Sequence, residues 1–179
     1  MTVPKAYWIT TYRAITNPDA LVAYAKLAGP AIKESGGRFL ARGNPAKIYE
    51  AGLNHRVVVI EFENTAKAFA AYRTTAYQAA LEALGDGAER DIRICRGRHV
   101  SWQYEMEGTM AKAYWVVSYR SIANPAARGE YTKLAVPAVL AHGGRYFTRG
   151  NPAKTYEAGI ALRTVVDEFN SPAQAIAAY

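Results

Sequence analysis

Soft metal ligands are scarce: 179 residues hold a single cysteine, Cys95, and three histidines. One cysteine allows no disulfide framework and no thiol-rich metal site, which suits a reducing cytosol. His55, His99 and His142 show no pair at metal-ligand spacing, so no metal and no cofactor is expected. No apolar run approaches the roughly 20 residues that a membrane span needs. The opening Met1-Thr2-Val3-Pro4-Lys5 lacks the charged stretch and apolar core of a secretory leader. The expected location is therefore cytoplasmic, with no membrane partner. Phosphate-loop and dinucleotide fingerprints are absent, because Gly36-Gly37 ends a helix where those motifs begin one. Serine stands in no nucleophile-elbow context. The formal charge of +7 is spread along the chain and forms no basic block.

What the sequence does have is a repeat. Lys5-Ala6-Tyr7-Trp8 returns as Lys112-Ala113-Tyr114-Trp115, and Gly36-Gly37-Arg38-Phe39-Leu40-Ala41-Arg42-Gly43 as Gly143-Gly144-Arg145-Tyr146-Phe147-Thr148-Arg149-Gly150. The offset of 107 residues needs no gap from Lys5 to Tyr72. A period this long makes each copy a domain-sized unit rather than a solenoid repeat. Residues 1–99 form a first unit, 100–111 a linker and 112–179 a second unit. Copy two stops at Tyr179, opposite Tyr72, and holds nothing equivalent to Arg73–His99. No histidine is shared by the two copies, which disfavours a symmetric histidine mechanism.

The first copy reads in order as follows. Tyr7–Arg13 alternates aromatic and polar residues, as a strand does. Asn17-Pro18 caps a helix, inside which Pro30 predicts a kink or a split. Gly36-Gly37 stops that helix. Arg38–Gly43 is a second strand, and Ala46–Glu50 extends it beyond an Asn44-Pro45 turn. Arg56–Phe62 is a Val-rich third strand, Thr65–Leu84 a second helix, and Asp91–Gly97 a fourth strand. The order β-α-β-β-α-β is the split βαβ plan of ferredoxin-like domains, an α+β class. One sheet face of such a unit is bare and apolar and needs a cover. Two tandem units facing each other would supply it as a barrel, and the second unit's missing strand would leave an open edge that invites pairing with another chain.

The strand opening on Tyr7-Trp8, Pro30 within the first helix, the Gly-Gly-Arg-aromatic-x-x-Arg-Gly motif, the run Arg56–Phe62, and Tyr72 with Tyr77 together resemble the family called domain of unknown function 1330. The resemblance covers about residues 5–99 and, without its end, 112–179. It implies the dimeric α/β-barrel superfamily, whose members include muconolactone isomerases, cofactor-free monooxygenases and heme-dependent chlorite dismutases. It also implies a site in a cleft between sheet and helices, but no particular activity.

Candidate residues follow from strand alternation. Arg38, Leu40 and Arg42 share one face of the second strand, and Arg145, Phe147 and Arg149 do so in copy two. Paired guanidinium groups suit a carboxylate or enolate. Glu61 and Glu168 either act as bases in an apolar hollow or pair with those arginines. Tyr7, Tyr72 and Tyr114 offer hydroxyls and ring walls to a ligand, or are core aromatics. At position 60 copy one has Ile60 where copy two has Asp167, so the halves differ in polarity. Arg38-Phe39-Leu40 lies in the second strand, away from the aromatic motif of RNA-recognition sheets, so nucleic acid is not an expected partner. The reading is a small-molecule-binding protein, with a cofactor-independent proton transfer or oxygenation left open. The alternative is a non-catalytic module that oligomerises through exposed sheet faces.

Overall fold

A computed structural model describes residues 3–98 and 111–179, which fall into two compact units. The first holds the chain through Gly97 together with Pro152–Ala161, and the second holds Arg98–Asn151 with Leu162–Tyr179. The expected linker lies, Ala111 apart, outside the described residues. The elements in chain order are β1 (Ala6–Ile15), α1 (Pro18–Glu34), β2 (Arg38–Gly43), β3 (Val57–Phe62), α2 (Thr65–Arg73), α3 (Thr75–Leu84), β4 (Ala88–Arg96), β5 (Ala113–Ser118), α4 (Pro125–Ala141), β6 (Arg145–Gly150), β7 (Lys154–Glu157), β8 (Thr164–Phe169) and α5 (Pro172–Ala177).

The first unit is an antiparallel sheet in the order β2-β3-β1-β4-β7. Its helix-facing side carries Trp8, Ile60, Phe62, Ile92 and Ile94, which pack with Tyr24, Ile32, Ala68, Tyr77 and Leu84 of the helices. Trp8 is the hub: its ring meets Tyr77 edge-on at 5.2 Å and Tyr72 at 5.6 Å, and its indole N–H donates to Thr10 at 3.0 Å. An aromatic side chain buried this way contributes more than any aliphatic neighbour. On the opposite sheet face Tyr7, Ile9, Val59 and Cys95 are buried too.

Local chemistry sets the ends of the elements. Asn17 accepts the Ala20 N–H at 3.1 Å, the capping bond expected of asparagine before a proline. Helix α1 runs through Pro30 as one element rather than splitting. Gly36 takes φ +84°, and a Cβ on Gly37 would lie 2.5 Å from the Ile32 side chain and 2.8 Å from the Phe62 ring. The first glycine thus turns the chain and the second lets it pass the core. Where one helix was expected over Thr65–Leu84, Thr74 breaks it. Thr74 is extended (ψ 143°) and its hydroxyl caps α3 by accepting the Tyr77 N–H.

The fifth strand of this sheet comes from the second repeat. β7 pairs with β4 in the register Asp91↔Glu157 to Ile94↔Lys154. Its first-repeat counterpart, Lys47–Glu50, forms no strand.

The second unit has the sheet order β5-β8-β6 with α4 and the short α5. Val139, Phe169 and Ala175 form its buried centre, flanked by Trp115 and Tyr146. Gly144 repeats the role of Gly37, since a Cβ there would lie 2.5 Å from Val139.

Candidate functional site

Three of the expected residues meet in one cluster in each unit. Glu61 accepts from Lys5 at 2.9 Å and from Arg38 at 2.9 Å, and Tyr7 donates to it at 3.4 Å. Register explains this, because Tyr7 and Arg38 are both direct cross-strand partners of Glu61. Burial alone would raise the Glu61 carboxyl, but bonds from Lys5 and Arg38 hold it below the usual glutamate value. It is thus held as an ion-paired carboxylate. In the second unit Glu168 accepts from Lys112 at 3.0 Å, from Tyr114 at 3.0 Å and from Arg145.

Arg42 and Arg149 lie elsewhere, for a definite reason. The β2–β3 register passes from Phe39↔Ile60 to Ala41↔Val59, so Leu40 is a bulge residue that reverses the alternation after it. Arg42 therefore shares a face with Phe39, not with Arg38, and its guanidinium lies 5.5 Å from the Phe39 ring centre. That face looks into the cleft under α1. A cavity of about 30 Å³ remains there, lined among others by Trp8, Tyr12, Tyr24, Phe39, Arg42 and Arg56. Exposed Arg42 and half-buried Arg56 form no ion pair among the described residues. They leave a positive mouth above an aromatic floor.

The second unit repeats the bulge at Phe147, with Tyr146↔Asp167 followed by Thr148↔Val166. Arg149 accordingly stands over Tyr146, 5.2 Å from the ring centre. Burial, then Arg149 and Arg128, draws Arg163 below the usual guanidinium range, so positive charge gathers here too. Asp167 is only 2 % exposed and its Oδ1 has no hydrogen-bond partner among the described residues.

Tyr72 belongs to neither group. Its ring stacks on Tyr156 at 3.6 Å, beside an open cavity of about 370 Å³ bordered by Leu81, Leu84, Arg90 and Glu157. Burial pushes its phenol up to about 12. Arg90 is 1 % exposed, lies 4.6 Å from the Tyr24 ring centre and donates through Nε to Glu157 at 2.9 Å. Sequence reasoning missed Arg90, because the alternating charges of Glu89–Arg93 suggest a solvent-facing edge. In fact Asp91 and Arg93 are buried as a pair at 2.7 Å. It also missed Arg56 and Arg163, whose signal was their recurrence at equal positions before β3 and β8.

No group of three or more His, Cys, Asp or Glu side chains among the described residues could hold a metal. No helix among them is long and apolar enough to cross a membrane.

Among solved structures, the chain is similar in fold to a candidate monooxygenase from Fusobacterium nucleatum, at 8 % identity and a TM-score of 0.52 over 99 % of this chain and 81 % of that one. A protein of unknown function from Rhodopseudomonas palustris aligns at 17 % identity and a TM-score of 0.43 over 53 % of this chain and 83 % of that one. An antibiotic biosynthesis monooxygenase candidate from Nitrosomonas europaea aligns at 18 % identity and 0.40 over 55 % and 95 %. No curated protein matches the sequence. The family model described as Domain of unknown function (DUF1330) matches residues 5–98 and again 112–179, so the two repeats are two copies of that domain, and the chain belongs to the DUF1330 family.

Proposed function

We propose that this protein binds a small organic acid with an apolar or aromatic body in the cleft between sheet and first helix of a repeat. The carrying observation is the mouth of the first cavity, lined by Arg42 and Arg56 together with Trp8, Tyr12 and Tyr24, where neither arginine forms an ion pair among the described residues. Arginine without a local counter-ion favours a planar oxyanion, and aromatic walls favour an apolar body. The closed cavity holds only a water-sized volume, so entry of a ligand swings exposed Arg42 off Phe39. Glu61 and Glu168, with Tyr7, Tyr114, Arg38 and Arg145, serve this reading as ion-paired struts beneath β2 and β6.

The test is calorimetric titration of the full chain with benzoate, phenylpyruvate and octanoate. The reading expects at least one to bind at millimolar concentration or tighter, with affinity lost in Arg42→Ala and Arg149→Ala combined. Equal binding by that double variant, or none by the wild type, overturns it. Self-association belongs to the same reading. Tyr131 and Leu134 stand exposed a turn apart on α4, and light scattering at high concentration should give a mass above one chain.

A further inference from the structure

The two units share a strand plan, bulge included, but differ at the positions that line the first unit's cavity. In the first unit Phe39, Arg42 and Ile60 line the cavity. At the equivalent positions the second unit has Tyr146, Arg149 and Asp167. An apolar pair has become a phenol and a carboxyl, and these two are direct cross-strand neighbours. On its other side Asp167 faces Trp115.

Asp167 does not behave as a structural carboxylate. The next residue, Glu168, is equally buried but satisfied by Lys112, Tyr114 and Arg145. Asp167 Oδ1 is buried with no hydrogen-bond partner among the described residues, an arrangement that costs stability unless the group keeps a proton. Among the described residues around it, strand β6 supplies Tyr146 and Arg149, β5 supplies Trp115 and Val117, and Tyr131 of α4 and the cationic Arg98 act on Tyr146.

We infer that the cluster of Asp167, Tyr146 and Arg149 in the second unit is an acid–base site, in which Asp167 takes a proton from a carbon beside the carbonyl of an organic acid whose anionic end Arg149 holds. The inference rests on the binding reading above. In the step, the ionised Asp167 carboxylate accepts the proton, and the C–H electron pair forms a C=C bond as the carbonyl electrons move to oxygen. The resulting enolate faces Arg149 and the Tyr146 hydroxyl. Return of the same proton, or of one exchanged with solvent, restores the ketone, so no oxidant or reductant is consumed. Burial pushes the Asp167 carboxyl up to about 8, against a smaller opposing pull from Arg149. It therefore matches a proton donor and acceptor near neutral pH. Burial, followed by Asp167 itself, pushes the Tyr146 phenol up to about 12, so it stays a hydrogen-bond donor.

The experiment follows deuterium uptake at the methylene carbon of phenylpyruvate by proton NMR, using the full chain. The expected result is exchange above the buffer rate that rises with pH through about 8. Asp167→Asn should lose about 100-fold of it while calorimetric binding of phenylpyruvate persists, and Asp167→Glu should recover part. A second readout needs no ligand: in protein with carbon-13-labelled aspartate carboxyls, one resonance should titrate near 8 and be missing from Asp167→Asn. Exchange by Asp167→Asn at the wild-type rate, or every aspartate titrating below 6, overturns the assignment. Binding without any exchange overturns this inference and leaves the binding reading standing, whereas loss of binding in the wild type overturns both.

Discussion

Arg90 and Glu157 form the ion pair that joins β7 to the first unit, and the guanidinium involved is 1 % exposed and lies against the Tyr24 ring. Glu157 reaches it from a left-handed backbone position, φ 53°, which costs a non-glycine residue about 1 kcal/mol. Glu50 has the same turn, φ 51°, but stands exposed and has no described strand beside it.

These twin glutamates give a paired prediction. Removing Glu157 leaves a buried cation uncompensated, and Glu157→Ala should destabilise the chain by about 3 kcal/mol. Glu50→Ala should stay within about 0.5 kcal/mol of wild type. Urea unfolding of both variants checks this, and equal effects would contradict the different roles.

Gly159 marks where the β7 hairpin meets β4, because a Cβ there would collide with the Ile92 carbonyl oxygen. Its counterpart Gly52 would meet the exposed Ile48 side chain, at 2.6 Å, and the Tyr49 carbonyl oxygen of its own turn, at 3.0 Å, but no neighbouring strand. Gly159→Ala should therefore speed amide exchange in β7 and β4, whereas Gly52→Ala should leave both protected. Hydrogen exchange with mass detection reads the difference.

Asp167 carries a pH dependence with a definite sign. Its folded value of about 8 lies above the ordinary aspartate value near 3.9. The native state therefore holds a proton that the unfolded chain releases. Its contribution is intact below about pH 4 and is lost as pH rises towards 8, with a slope of at most about 1.4 kcal/mol per pH unit. Asp167→Asn should flatten the fall in stability between pH 5 and 8, which melting temperatures across that range measure.

Glu61 has the opposite sign. Held below the usual value by Lys5 and Arg38, it stabilises the fold above about pH 4.5, and that contribution is lost as pH falls through the lowered value. Lys5 and Arg38 are 57 % and 69 % exposed, so solvent screens the pair and Glu61→Gln should cost about 1 kcal/mol. Glu168→Gln should cost more, because both its cationic partners are better buried.

Much of this architecture was legible in the sequence. The offset between copies, the Asn-Pro caps, the Gly-Gly stops and the Val-rich strands each follow from a local rule, and the β-α-β-β-α-β order follows from those. The face of Arg42 was not legible. Strict alternation sets it with Arg38, and nothing in Phe39-Leu40-Ala41 announces the bulge that reverses it. Nor was the exchange of β7, since Asn-Pro-Ala-Lys-x-Tyr-Glu-Ala-Gly is the same in both copies apart from Ile48 and Thr155. Only the presence of β4 beside one of them decides which becomes a strand. Asp167 was visible as a difference in polarity, but the unsatisfied Oδ1 among the described residues belongs to the packing.

The most direct test of the account is whether the arginine-mouthed clefts bind an organic acid. Calorimetric titration of the intact chain with phenylpyruvate should show saturable binding, weakened at least about tenfold by Arg42→Ala with Arg149→Ala, a loss of about 1.4 kcal/mol, while the melting temperature stays unchanged. Binding that survives the double substitution undiminished would contradict the account.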